Sequence, residues 1–284
     1  MNPNQAHGAK VPLLNILDEI AGKTRLRVQA AKSVSPFDHV RKDALALAEK
    51  EGSRENAGFP FERAIAAPGL SFICEVKKAS PSKGIIAADF PYLQIAREYE
   101  DAGAAAVSVL TEPDYFLGSD QYLREIAAAV SIPALRKDFV IDPYQIYEAK
   151  LLGAKAVLLI CALLDAQKLA EYIKIADEIG LSSLVEIHNE AEAEQAVRSG
   201  AKIIGINNRD LKTFKVDLAV TARLRSLIPA GILAVAESGI KSVEDVRAIS
   251  GIGVDGALVG ESLMRAADKK QFLAELKESG KNEE

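Results

Sequence analysis

From residue 70 onward the chain alternates two kinds of stretch. Short, nearly all-apolar runs rich in β-branched residues recur: SFICEV (71–76), AAVSVL (105–110), IPALR (132–136), AVLLIC (156–161), SLVEI (183–187), IIGIN (203–207), ILAVA (232–236) and GALV (256–259). Runs that are apolar at almost every position, rather than at every second one, predict parallel strands buried on both faces. Between them lie amphipathic stretches such as PYLQIAREYEDAG, DPYQIYEAKLLG, DAQKLAEYIKIADEIG and SVEDVRAIS. Several open with Asp, Pro or Ser and close on Gly, the expected helix starts and stops. A weak echo (AGAAAVSVL, LGAKAVLLI, SGAKIIGIN, GVDGALVG) repeats a helix-ending Gly, a small residue and a strand.

This pattern predicts an α/β chain folded as a (β/α)8 TIM barrel over residues 70–278. A doubly wound open sheet is the alternative, but no G-x-G-x-x-G turn follows the first strand. Ahead of the barrel, residues 1–69 read as an N-terminal helical extension. PLLNILDEIAGKTRLRVQAAK and SPFDHVRKDALALAEKE form helices, the second with Ser35 as cap and Pro36 at the first helical position. GSRENAG is a polar break. The extension has too few apolar positions for a core of its own, so it packs on the barrel within a single domain, 1–284. The tail from residue 279, with GKNEE, reads as disordered.

Composition narrows the function classes. The 284 residues carry a net charge of −5 without a basic block, which argues against nucleic acid or an anionic membrane as partner. The longest wholly apolar run, Ala156–Leu164, is far too short to span a bilayer, and MNPNQAHGAK lacks a signal-peptide core. Cys74 and Cys161 sit inside apolar runs, as buried free thiols of a reducing compartment do. No Cys/His cluster has metal-ligand spacing. The expectation is a soluble cytoplasmic protein with no metal site and no obligatory protein partner.

In a barrel, chemistry sits at the carboxyl ends of the strands. In order, those ends carry Glu75 and Lys77, Thr111 and Glu112, Lys137, Cys161, Glu186, Asn207, Glu237 with Ser238, and Gly260 with Glu261. The strand interiors carry almost nothing polar. Glu75 and Lys77 are two apart and share a face, so both line the barrel mouth and can pair there. Converging lysines and glutamates from strands 1, 3, 5 and 7 mark a reactive centre better than they mark a wetted rim. AESGIKS and LVGESLM put Gly and small residues just before helix starts after strands 7 and 8, where bare backbone N–H groups bind phosphate. The loop Lys78–Phe90 is long for a βα connection and has the composition of a lid.

These residues coincide with a family pattern. EVKKASPSKG, LTEPDYFLGS, IPALRKDFVIDPYQI, LLGAKAVLLI, LVEIHNEAE, IGINNRDL, VAESGI and LVGESLM follow one another as in indole-3-glycerol phosphate synthases, which the chain resembles over roughly residues 13–278. The resemblance implies a carboxy-lyase of tryptophan biosynthesis. It would close the ring of a sugar phosphate, 1-(2-carboxyphenylamino)-1-deoxyribulose 5-phosphate, releasing carbon dioxide and water, with no metal or organic cofactor.

Carried over residue by residue, the resemblance makes Lys137 the general acid on the ribulose carbonyl oxygen and Glu186 the general base. Glu75 would hold the lysines and Asn207 orient the substrate. Lys77 either binds substrate or serves as acid in the dehydration. Ser80 and Glu237 become substrate contacts. Phe116 and Phe139 either enclose the anthranilate ring or belong to the core. Arg209 either meets the substrate carboxylate or pairs with Asp210. Ser238, Gly239, Gly260 and Glu261 resemble a phosphate cradle, Glu261 through its backbone. His188 shares a face with Glu186 but reads as a solvated loop histidine. A second, fused phosphoribosylanthranilate isomerase barrel, found in some relatives, is expected to be absent.

Two rivals stand beside this reading. A Schiff-base aldolase would use Lys137 as nucleophile, although the flanking carboxylates favour acid–base work. A sugar-phosphate-binding barrel without catalysis would keep the last two loops and lose Lys137 or Glu186.

Overall fold

The computed structural model describes residues 16–52 and 59–280. Eight strands close into one parallel barrel: β1 (Ser71–Val76), β2 (Ala106–Leu110), β3 (Ala134–Lys137), β4 (Ala156–Ile160), β5 (Ser182–Ile187), β6 (Ile203–Asn207), β7 (Leu233–Glu237) and β8 (Gly256–Val259). Each pairs with its neighbours in sequence, and β1 pairs with both β2 and β8, so no edge is left open. Closure rules out the open sheet. Every strand lies within a residue or two of an apolar run predicted above.

The inner face of the barrel has two zones. Ile73, Ala106, Leu135, Leu158, Leu184, Ile203, Val235 and Leu258 form a buried apolar plug. Two residues on, the same face carries Glu75, Lys137, Glu186 and Glu237, because side chains return to one face with period 2. A chain that is apolar low in the barrel and charged one layer higher therefore builds its polar centre at the carboxyl ends. The outward-facing strand residues pack under the helical ring in a second, larger cluster.

Several of the helices between strands begin where short polar caps stand. Asp142 accepts from the Tyr144 N–H ahead of a helix that starts at Pro143, and Asp165 accepts from Lys168 N–H. Ser242 and Asp245 form a reciprocal capping box.

Among the described residues, three helices precede the barrel. In α1 (Ile16–Val34) the buried residues Leu17, Ile20, Ala21, Thr24 and Val28 make one stripe at helical spacing. Ion pairs from Arg27 to Asp138 (2.7 Å) and Lys32 to Asp142 (2.7 Å) tie it to the β3 end of the barrel. The next helix, α2 (Phe37–Glu51), sets Phe37 edge-on to Tyr147 with ring centroids 5.8 Å apart. Pro36, not Ser35, occupies its cap position and no side chain caps it, a correction to the predicted start. The third helix, α3 (Pro60–Ile65), is absent from the sequence reading. Its Phe61 and Ile65, four apart on one face, are fully buried against the inner plug and close the amino-terminal end of the barrel. Most of the predicted polar break and the tail after Gly280 lie outside the described residues.

Candidate active site

The carboxyl ends of the strands enclose a cavity of about 410 Å³. Every residue given a catalytic or binding role in the sequence reading lines it: Glu75, Lys77, Ser80, Phe116, Lys137, Phe139, Glu186, Asn207, Arg209, Glu237, Ser238, Gly239, Gly260 and Glu261; Thr111, Glu112, Cys161 and His188 do not.

At the centre stands Lys137, at the end of β3. Its ammonium lies 3.1 Å from Glu186 Oε2 and 3.2 Å from Glu237 Oε2, and all three side chains are nearly buried. Burial works against the charge on Lys137, but Glu186, then Glu237 and Glu75, overcome it and hold the lysine protonated well above its ordinary range. Burial likewise favours neutral carboxyls. Lys137, with His188 and Asn207, overrides that at Glu186 and keeps it ionised far below the usual carboxylate range. Glu237 takes the other course: burial, reinforced by the negative Glu186 and Glu75, pushes it up to about 7 against the pull of Lys137. Its second oxygen, Oε1, is buried without a hydrogen-bond partner. One cation between two carboxylates thus leaves one ionised and the other close to its midpoint at neutrality.

Beside this triad, Glu75 is buried and paired with Lys77, and Ser108 Oγ donates to its other oxygen at 3.4 Å. Glu75 therefore grips Lys77 directly and acts on Lys137 through its field. Asn207 accepts from the Arg209 N–H at 3.0 Å, which shapes the turn after β6.

The predicted aromatic walls face each other: the Phe116 and Phe139 rings lie 6.0 Å apart, tilted by 40°. Phe116 is presented by a turn built on Glu112, whose buried carboxylate accepts the N–H groups of Asp114, Tyr115 and Phe116 at 2.7–3.0 Å. Glu112 and Thr111, polar at the rim in sequence, are thus scaffolding. Thr111 donates to Asp138, which also binds Arg27 and the buried Arg136.

The pairing of Arg209 with Asp210 does not occur. The guanidinium donates to the Phe214 carbonyl at 3.2 Å, while Asp210 takes the N–H groups of Lys212 and Thr213. His188 is also corrected. It is not a solvated loop residue: its side chain is about one-eighth exposed and lies between Glu186 and Glu192. The shared face with Glu186 was the available signal. Cys161 is no nucleophile here, since burial pushes its thiol up to about 12.

The loops after β7 and β8 meet through Ser262 Oγ, which donates to the Ile240 carbonyl at 2.9 Å. Ser238 and Gly239 both take positive φ, and a β-carbon on Gly239 would collide with Val216. The Glu261 carboxylate is occupied by Arg265 (3.2 Å) and Lys83 (3.7 Å). Lys83 belongs to the loop predicted as a lid. That loop is a hydrogen-bonded hairpin, Ala79–Ser80 against Gly84–Ile85, tied at Ala79 N–H to the Phe116 carbonyl. Also unforeseen from sequence, α1 contributes Ile16, Leu17 and Ile20 to the cavity lip. Among the described residues no cluster of His, Cys, Asp or Glu suits a metal ion, and no helix is long and apolar enough to cross a membrane.

Comparison with known proteins gives a consistent picture. The family model for indole-3-glycerol phosphate synthase matches residues 17–276. A protein of that description from Ruminiclostridium cellulolyticum is 54% identical over 264 residues, 93% of this chain and 99% of its own. Another, from Lachnoclostridium phytofermentans, is 47% identical over 267 residues, covering 92% and 98%. Among solved structures, 3-hexulose-6-phosphate synthase from Salmonella typhimurium superposes with a TM-score of 0.62 at 14% identity, over 74% of this chain and 98% of that one. At that identity the likeness shows the barrel fold alone.

Proposed function

The chain belongs to the indole-3-glycerol phosphate synthase family, and from that premise we propose how its barrel mouth carries out the family reaction. The reaction converts 1-(2-carboxyphenylamino)-1-deoxyribulose 5-phosphate to indole-3-glycerol phosphate, carbon dioxide and water. The ring carbon bearing the carboxylate attacks the ribulose carbonyl carbon. Loss of carbon dioxide restores the benzene ring. Loss of the new hydroxyl as water, with a proton from the neighbouring carbon, completes the indole.

Lys137 is the general acid in this scheme. It gives its proton to the carbonyl oxygen as negative charge develops there, a role worth about 10²–10⁴ in rate. Glu186 is the general base that takes the ring proton in the dehydration. The observation that carries this reading is the Lys137 ammonium held 3.1 Å from Glu186. While Lys137 is charged, Glu186 is a weak base. Once Lys137 has given up its proton, the largest of the charges that depress Glu186 is gone and its basicity rises. Acid and base are coupled, and each prepares the other.

Lys77, held by Glu75, steadies substrate or delivers the proton to the departing hydroxyl. Glu237 contacts the substrate hydroxyls, and Ser80 and Asn207 orient it. Phe116 and Phe139 sandwich the aromatic ring, and Arg209 meets its carboxylate before that leaves. Ser238, Gly239, Gly260 and Glu261 cradle the phosphate through backbone N–H groups. The extension and the barrel act as one domain, since Val28, Val40 and Ala44 share the outer barrel's hydrophobic cluster. With two buried free thiols, the chain suits the reducing cytoplasm, and the scheme needs no nucleic acid, membrane, metal or protein partner.

The test is turnover of the carboxyphenylamino-deoxyribulose phosphate followed by indole fluorescence, with and without EDTA. Activity should survive EDTA. Glu186→Gln should lose turnover while still binding a product analogue; normal turnover in that variant would remove Glu186 from the role of base.

A further inference from the structure

We propose that His188 is a positioning residue for this reaction, clamping one oxygen of Glu186 so that the other stays on Lys137 and faces the substrate. The proposal rests on the reading of Glu186 as the general base. His188 follows β5 directly and shares its inward face with Glu186 two residues earlier. Its Nδ1 is hydrogen-bonded to Glu192 Oε2 at 3.0 Å, and its buried Nε2 lies 3.2 Å from Glu186 Oε1, an ion-pair distance without hydrogen-bond alignment. Glu192 is itself fixed. It accepts the His188 backbone N–H at 2.8 Å and the Asn189 side-chain amide at 2.7 Å, while its own N–H caps back to Asn189. The ring therefore has a fixed partner at the start of the helix Glu190–Arg198.

A ring between two carboxylates is informative about charge. Neutral imidazole has one N–H, so one of its nitrogens would set a lone pair beside an anion; the imidazolium presents positive charge to both carboxylates. In the layer around Lys137, Glu75, Glu186 and Glu237 face Lys77 and Lys137, so whenever Glu237 ionises the carboxylates outnumber the ammoniums there. Burial opposes protonation of His188, but Glu186 and Glu192 raise it to about 10. Of the other groups nearby, the Cys161 thiol stays neutral and Glu190 is turned to Arg223 at 2.7 Å. When Lys137 surrenders its proton, His188 is the cation left beside Glu186, and it keeps that carboxylate aimed and ionised.

The experiment compares His188→Ala and His188→Gln with wild type in kcat and KM from about pH 4 to 9; in wild type the acid limb of Glu186 falls below that range, because the carboxylate is held ionised far below its usual range. His188→Ala should lower kcat about tenfold or more, the size seen when an orienting partner is lost, with KM within about twofold. The acid limb should move up toward that range, because Glu186 protonates more readily without a neighbouring cation. His188→Gln keeps a donor without the charge, so it should recover much of the plateau kcat and leave the limb displaced. Ring ¹⁵N spectra, with His188 assigned by its loss in His188→Gln, should show both nitrogens protonated at pH 8 in wild type and a titration moved to lower pH in Glu186→Gln, where only Glu192 still holds the proton.

A neutral His188 ring at pH 8 in wild type, or wild-type kcat in His188→Ala, overturns the proposal. If His188→Ala does not fold, the Gln variant and the wild-type spectra decide it. The two readings separate cleanly: normal turnover in Glu186→Gln removes the base assignment itself, whereas an inactive Glu186→Gln beside an unaffected His188→Ala removes only the clamp.

Discussion

A β-carbon placed on Gly260 would stand 2.6 Å from Glu75 Oε1 and 3.1 Å from Lys77 Nζ. The bare glycine at the end of β8 is thus what allows the Glu75–Lys77 pair to lean across the barrel mouth. From sequence, Gly260 reads as part of a phosphate cradle, and a side chain there should mainly raise KM. The contact with Glu75 changes that expectation. Gly260→Ala should lower kcat as well as raise KM, each by about tenfold, since about 1.4 kcal/mol of lost positioning is a factor of ten. A raised KM with wild-type kcat would show that the pair adjusts without cost.

Lys137→Met should cut kcat by at least about 10² in a protein that still folds, the lower range for a general acid. Stability offers a second readout. The variant leaves Glu186 and Glu237 buried without their common cation, a situation that costs about 3–5 kcal/mol when charges stay ionised. Proton uptake relieves it, so urea unfolding should show a larger loss at pH 8 than at pH 5.5. Near-normal turnover would end the assignment of Lys137 as acid.

Glu237 makes a pH prediction with a definite sign. Its folded-state pKa is raised to about 7 from the ordinary 4.5, so between these values the native protein holds a proton that the unfolded chain has released. Its stabilising contribution is complete below about pH 4.5 and is lost as pH rises through about 7. Glu237→Gln replaces the protonated form with a neutral amide. Relative to wild type it should therefore gain stability between pH 5 and pH 8 by about 1–3 kcal/mol, at 1.36 kcal/mol per unit. A difference independent of pH in denaturant titrations would contradict the raised value.

Arg27 binds the fully buried Asp138 at 2.7 Å and carries α1, whose Ile16, Leu17 and Ile20 form one lip of the cavity. Arg27→Met removes one hydrogen bond between charged groups, worth about 1.5–3 kcal/mol, while Arg136 and Thr111 still satisfy Asp138. The lip should loosen more than the barrel does. KM should rise several-fold and kcat change less, because the lip encloses substrate and does not touch Lys137. Steady-state kinetics with thermal unfolding would check this, and an unaltered KM would show that α1 does not shape binding.

What was legible in the sequence depends on short-range order. Wholly apolar runs such as AVLLI and IIGIN mark buried parallel strands, and period 2 then puts Glu75, Lys137, Glu186 and Glu237 on the inner face one layer above an apolar plug. Strand order follows from succession alone, since each parallel strand returns beside the last through its helix. That suffices to gather every candidate side chain at one mouth. The family resemblance then supplied roles that spacing by itself leaves open, as between the two destinations of Arg209.

Tertiary structure decided the contacts between residues distant in the chain. Closing the ring brings Gly260 against Glu75, and it sets Glu186 and Glu237 on the same Lys137, so that one is ionised and the other near neutrality. No local pattern encodes which of two glutamates burial favours in neutral form, because that depends on every charge within a few ångströms. The same holds for α1 over the mouth and α3 under it: amphipathic stripes say that a helix buries a face, not which surface receives it. His188 belongs here as well. Its period with Glu186 was visible in LVEIH, but Glu192 comes within 3.0 Å of its ring only because the next helix begins at Glu190 and turns its first face inward.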